Sequence, residues 1–253
     1  MKIAINCGLV LVAILLATGA PTAQETPTEE RLMTEIGPVV VHPIEHATMV
    51  LRWDEKTIYV DPVGGAEPFA GSPAPDLILI TDIHGDHLSA DTIRAVSTDA
   101  TRIIAPEAVA AEFPENERKA VKVLANGENI GWEGVKIEAI AAYNLSPERQ
   151  KFHPKGRGNG YVLTLRGMRI YISGDTEDVP EMRNLENIDA AFICMNLPYT
   201  MDVDAAADAV LEFQPKIIFP YHFRGKGGVS DIDRFRSLVG ENEAIEVRLL
   251  KWY

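Results

Sequence analysis

The sequence predicts an α/β protein of two β-sheets packed face to face, with helices on their outer faces. Three observations carry this expectation: short β-type runs crowd both halves of the chain, helical stretches trim each half, and no linker-like segment divides the chain after residue 34. With 253 residues, 46% of them hydrophobic and 24% charged, the chain has ordinary globular composition. Residues 35–253 are therefore read as one domain.

The elements follow in order. The opening "MKIAINCGLVLVAILLATGAPTAQETPTEE" places Lys2 before an apolar core from Leu9 to Leu16 and then small residues, the layout of a secretory leader, residues 1–23, ending at Ala23. Pro21 fits that cleavage poorly, so an uncleaved membrane anchor is the competing reading. Residues 24–34 read as an acidic linker, and no later segment reaches the ~20 apolar residues of a membrane span. "GPVVVHPI", "HATMVLRW" and "TIYVDPV" read as strands, the last two joined by a turn at "DEKT", and the second is as compatible with burial on both faces as with an edge. "APDLILIT" is a buried strand, and "SADTIRAV" starts a helix with Ser89 as its cap. "TRIIAP" and "AVKVLAN" are strands on either side of the helical "EAVAAEF". In the second half, "GVKIEAIAAYN" is a strand and "GYVLTLRGMRIYISGD" is a hairpin turning at Arg166 and Gly167. "IDAAFICMN" is another buried strand, "DVDAAADAVLEF" a helix, and "KIIFPYH" a strand. "SDIDRFRSLVG" is a helix stopped at Gly240, and "AIEVRLLKW" closes the chain as a strand.

Composition excludes some functions. The net charge is −13, and removing residues 1–23 subtracts Lys2 and no acid, giving −14. A phosphate backbone demands a basic face, so nucleic acid is not an expected partner. Nor is a membrane once the leader is removed. Cys7 lies in the leader, which leaves Cys194 without an internal disulfide partner; its apolar setting "AAFICMNLP" reads as a buried strand thiol rather than a nucleophile.

The chemistry concentrates in "TDIHGDH". A divalent ion needs lone pairs converging from several directions, and imidazole and carboxylate supply them. Asp82 and His84 alternate on an extended segment and can point the same way, while Gly85 permits a turn that brings Asp86 and His87 to the same place. Further donors stand where later strands end: His153 in "KFHPKGRGNGYV", Asp175 in "YISGDTED" and His222 in "IFPYHFRG". For Asp82 a turn-capping or His84-orienting role stays open. Asp61 in "YVDP" reads either as a partner holding a ligand histidine or as a turn residue before Pro62. His42 and His46 match no ligand position and read as structural.

The order of these motifs resembles the metallo-β-lactamase superfamily, over nearly the whole mature chain from "HATMVLRWDEKTIYVDP" to "FPYHFRG". "GYVLTLRGMRIYISGDTED" and "NLPYTM" look most like the hydrolases grouped around L-ascorbate-6-phosphate lactonase, a branch of lactonases and phosphodiesterase-like enzymes. The resemblance implies an αββα sandwich holding two divalent ions, zinc first, at the shared edge of its sheets. One ion would take His84 and His153, with Asp82 standing where the family has its first histidine. The other would take Asp86, His87 and His222, with Asp175 bridging both. A carboxylate at the Asp82 position would admit manganese or iron.

Such a pair of ions implies hydrolysis by activated water of a small-molecule ester, lactone or phosphoester, with Asp86 able to accept or return a proton. Three carboxylates and a hydroxide nearly offset two divalent cations, so an anionic substrate would need a further cation. Lys155 and Arg157 are the candidates, against the alternative of a solvated loop, and Tyr199 could donate to the oxyanion. A metal-binding or sensing protein and a true β-lactamase are the rival readings.

Overall fold

The computed structural model describes residues 26, 28–35 and 37–253 and builds them into two seven-stranded sheets. The expected leader lies outside the described residues. The first sheet runs β1 (Glu30–Thr34), β2 (Gly37–Glu45), β3 (Thr48–Trp53), β4 (Lys56–Val60), β5 (Leu77–Leu79), β6 (Arg102–Ala105) and β7 (Val121–Val123), in chain order. Its first four strands pair antiparallel and the rest add on in parallel. The second sheet repeats the plan with β8 (Asn129–Trp132), β9 (Val135–Ala142), β10 (Gly158–Leu165) and β11 (Met168–Ile172) antiparallel, followed in parallel by β12 (Ala190–Cys194) and β13 (Ile217–Tyr221). A two-strand ribbon, β14 (Arg224–Gly225) and β15 (Gly228–Val229), stands apart, and β16 (Glu246–Val247) completes the second sheet beside β13.

The sequence explains the turns. Asp54 and Glu55 between β3 and β4, and Arg166 and Gly167 between β10 and β11, all have positive φ (48°, 69°, 48° and 90°). Two successive left-handed residues suit the right-handed twist of a tight hairpin. Among the described residues the α-helices are α1 (Ala90–Val96), α2 (Glu107–Glu112), α3 (Glu115–Arg118), α4 (Pro180–Arg183), α5 (Val203–Phe213) and α6 (Ile232–Val239). Ser89 caps α1 as expected, its hydroxyl accepting from the Thr92 amide at 3.2 Å.

Side-chain alternation sorts the two faces. Met49, Leu51, Ile58 and Val60 point to the central core shared with Ile137, Tyr161 and Leu163 of the second sheet. Val50, Tyr59 and Ile78 point the other way and meet Ile93 of α1 and Val109 of α2. Thus β3 is buried on both faces. On the far side, Phe213 of α5 meets Tyr171 of β11 edge-on at 6.1 Å. The architecture is two mixed sheets faced by helices, as the sequence predicts.

Two expectations change. The proposed linker 24–34 overlaps β1, where only Leu32 of "ERLMT" is buried and the strand is otherwise too polar to announce itself. The C-terminal strand is cut to β16. Amides of Glu246 and Arg248 donate to the carbonyls of Lys216 and Ile218, and the next ladder bond would need an N–H from Pro220, which has none. No helix among the described residues is long and apolar enough to cross a membrane.

Candidate metal centre

Parallel strands in both sheets end at the same rim, and each end delivers a polar side chain. Asp61 follows β4, Asp82 follows β5, Asp175 follows β11, Asn196 follows β12 and His222 follows β13. Crevices at the carboxyl ends of parallel strands are where α/β sheets place their ligands. Gly174, at φ +62°, makes this possible for Asp175: a Cβ there would lie 2.7 Å from the Asn159 carbonyl and 3.1 Å from Thr81 Cβ. Three non-glycine residues here, His46, Asp61 and His222, also hold left-handed backbone, with φ of 50°, 45° and 44°. Such strain, on the order of 1–3 kcal/mol each, persists where surrounding structure enforces it.

Around Asp175 gather His87, His153 and His222. Asp175 Oδ2 lies 3.0 Å from His153 Nε2 and 3.4 Å from His87 Nε2, while Oδ1 lies 3.2 Å from His222 Nε2. Asp86, with 41% of its side chain exposed, approaches His222 Nε2 at 3.4 Å and His87 Nε2 at 3.9 Å. Asp61 settles the His87 tautomer. Its wholly buried carboxylate accepts from the Thr81 amide and hydroxyl at 2.7 and 2.6 Å and lies 2.8 Å from His87 Nδ1, so in the neutral, metal-binding form of the ring Nδ1 holds the proton and Nε2 is the nitrogen left with a lone pair. Burial disfavours charge on His87, but the Asp175 and Asp61 carboxylates hold its pKa well above the usual imidazole value. Burial likewise opposes ionisation of Asp175, yet His222, His87 and His153 keep it well below the carboxylate range.

The second donor set is Asp82, His84 and His153. Asp82 Oδ2 stands 2.7 Å from His84 Nδ1 and 3.7 Å from His153 Nε2. His153 Nδ1 lies 3.1 Å from both the Tyr199 carbonyl and the Asn144 side-chain nitrogen, and these contacts hold the ring with Nε2 turned towards Asp175. Donor atoms of Asp82, His84 and His153 lie within 4.8 Å of one another, and so do those of His87, Asp175 and His222.

These residues fit divalent ions. His87 Nε2 and Asp175 Oδ1 are buried without a hydrogen-bond partner, an arrangement costly for a native interior unless something else satisfies the atoms. Nitrogen and oxygen donors in this number suit zinc, manganese or iron.

Other expectations change. Arg157 is not free to meet a substrate: its guanidinium grips Asp82 through Nε to Oδ1 and Nη2 to Oδ2, both at 3.0 Å. Lys155 is spent on Glu181 at 2.9 Å and the Tyr143 hydroxyl at 3.2 Å, with 62% of its side chain exposed. A cleft of about 270 Å³ opens over the donors, lined by His84, Asp86, Phe152, His153, Asp175, Asn196 and Tyr199. Tyr199 therefore stays in place, whereas Lys155 and Arg157 fall outside the lining. His46, read as structural, instead joins Asp86 and His222 as a third close donor group and takes a contact from the Tyr253 hydroxyl at 3.3 Å. No spacing in the sequence flags it, because the tight turn between β2 and β3 brings it there. His42 lies apart, its Nδ1 3.1 Å from the Thr28 carbonyl. Cys194 is wholly buried in β12, and that burial pushes its thiol up to about 12.

Comparison with known proteins finds relatives described as metal-dependent hydrolases. The Beta-lactamase superfamily domain matches residues 40–222. A UPF0173 metal-dependent hydrolase of Thermococcus onnurineus is 31% identical over 78% of this chain and 89% of its own length. Among solved structures, a protein of Parabacteroides distasonis assigned as a metal-dependent hydrolase superposes with a TM-score of 0.80 at 40% identity, covering 89% of this chain and 99% of that one. Igni18, a metallo hydrolase from Ignicoccus hospitalis, superposes with a TM-score of 0.69 at 20% identity, covering 83% and 94%, and shows the fold alone. By the span of the domain match and by its identity to a relative it covers almost fully, the chain belongs to the β-lactamase superfamily and, within it, to the UPF0173 metal-dependent hydrolases.

Proposed function

We propose that the chain is an exported two-metal hydrolase acting on a weakly charged or neutral ester or lactone. The observation that carries this reading is the place of Asp175, one oxygen facing His222 and the other facing both His87 and His153. In this reading Asp82, His84 and His153 would hold one ion and Asp86, His87 and His222 the other, with Asp175 within reach of both sets. Zinc suits the imidazole-rich set, and manganese or iron suits the Asp82 set. Divalent ions bound there would bring the pKa of water towards neutrality and favour the developing oxyanion.

The chain's own residues do the rest. Asp86 is the lining carboxylate with most access to the cleft, so it takes the proton from attacking water and returns it to the leaving group. Phe152 and Tyr199, edge-on at 5.3 Å, form an aromatic wall, and the Tyr199 hydroxyl donates to the oxyanion. No Lys or Arg lines the cleft among the described residues. That favours a neutral ester or lactone over a phosphoester, in place of the anionic lean drawn from Lys155 and Arg157. Export rests on the leader-like residues 1–23. Protein recovered from its cells with Met1 intact would overturn cleavage at Ala23.

Two measurements test the function. Reconstituted protein is expected to hold two ions per chain and to turn over aryl esters or lactones faster than phosphodiesters. A fully loaded protein inactive on every class would favour metal binding or sensing, and nitrocefin turnover at about 1–1,000 per second would make it a β-lactamase. Tyr199→Phe should lower kcat about 100-fold, as loss of one oxyanion donor does, with KM little changed. A change confined to KM would reassign Tyr199 to substrate binding.

A further inference from the structure

We infer that Arg157 balances the charge of Asp82, so that the two side chains together act as one neutral ligand at the first metal position; this rests on the two-metal reading above.

The pair is built as a unit. Asp82 is 3% and Arg157 16% exposed at the side chain, and the guanidinium engages both carboxylate oxygens at 3.0 Å. Each carboxylate oxygen has two acceptor directions, so a fork contact leaves one on each oxygen open. The open direction on Oδ2 faces His84 Nδ1 at 2.7 Å and His153 Nε2 at 3.7 Å. One oxygen thus serves the arginine and the donor cluster at once.

The loop that supplies His153 also supplies the arginine. Arg157 is anchored by a hydrogen bond from its Nη2 to the Phe152 carbonyl and by its own amide, 3.3 Å from the Pro154 carbonyl. The next residue is glycine, where a Cβ would lie 3.2 Å from the Thr81 carbonyl and 3.5 Å from Asp82 Oδ1. The chain therefore presses directly on the Asp82 turn. A planar, permanently charged fork is what this contact uses, and lysine lacks it.

The electrostatic consequence is specific. Asp82, Asp86 and Asp175 alone would bring three negative charges to two divalent ions, and one hydroxide would cancel the remainder. Arg157 removes one of those negative charges from the balance. The centre keeps a net positive field for the oxyanion, at some cost in affinity for the ion beside the arginine.

The test is a cycle of Arg157→Gln, Asp82→His and the double variant, with zinc affinity measured by competition with a chromogenic chelator and metal content by mass spectrometry. Of two binding steps, one should move in opposite directions: about tenfold tighter or more in Arg157→Gln, where a cation beside the ion is gone, and about 10–100-fold weaker in Asp82→His, where the arginine is left unpaired. The double variant should return to near the wild-type affinity. Weakening in both single variants would show that Arg157 merely supports the loop, and no change in either would place Asp82 outside the metal position; both outcomes overturn the inference. Should Asp82→His not fold, the sign of the Arg157→Gln change decides alone, tightening supporting the inference and weakening or no change overturning it. Wild-type protein that binds no zinc at either step would instead overturn the two-metal reading.

Discussion

Asp175→Ala is expected to lose both bound ions and well over 100-fold of hydrolytic activity, more than removal of a partner that only orients a ligand. The carboxylate stands 3.0–3.4 Å from three imidazoles that arrive from different loops, and no other described residue approaches all three. Alanine also removes the acceptor that draws His87, His153 and His222 together. Their lone pairs would then diverge, and stability linked to metal binding would vanish with the ions. Metal content after reconstitution and melting temperature with and without zinc report the two effects. Retention of two ions per chain would show that another residue joins the positions.

Asp61 carries the second large effect through His87. Asp61→Asn places an amide nitrogen or a weaker acceptor where a carboxylate now fixes the Nδ1 proton, so His87 can move its proton to Nε2 and lose its ligating lone pair. About 10–100-fold of zinc affinity at the position shared by His87 and His222 should go with it. Asp61→Ala should do more, because Thr81 and His87 lose a wholly buried acceptor. Breaking such a buried pair costs about 3–5 kcal/mol, readable by denaturant unfolding of metal-free protein. An Asp61→Asn protein with wild-type zinc affinity would mean that the tautomer is set elsewhere.

Much of this was legible in the chain itself. Tight hairpins at "DEKT" and "LRGM" show because local turn chemistry decides them. The donors of "TDIHGDH", with His153, Asp175 and His222, show because each follows or faces a strand end. The rest depends on contacts that sequence distance hides. Arg157 lies just past His153, which makes it look like a substrate cation, whereas its partner Asp82 stands on the other sheet. His46 lies in a turn with no liganding pattern, and only the closing of that turn over the rim brings it to His222, ring centroids 5.4 Å apart. β1 stays hidden because four of its five side chains are not buried. The end of β16 is set by a missing amide on a neighbouring strand, Pro220, remote in sequence.

The shared rim also dictates when the ions can enter during folding. Each sheet begins as a meander of neighbouring strands, whose contacts are local and form early. The donor sets do not respect that division: Asp82, His84 and His87 come from the first sheet, and His153, Asp175 and His222 from the second. Neither half can present a finished site before the sandwich has closed. Ion capture is therefore a late event that locks an assembled chain rather than a seed that guides it, and protein refolded without metal should reach the same sheets and then load its ions in a separate, slower step.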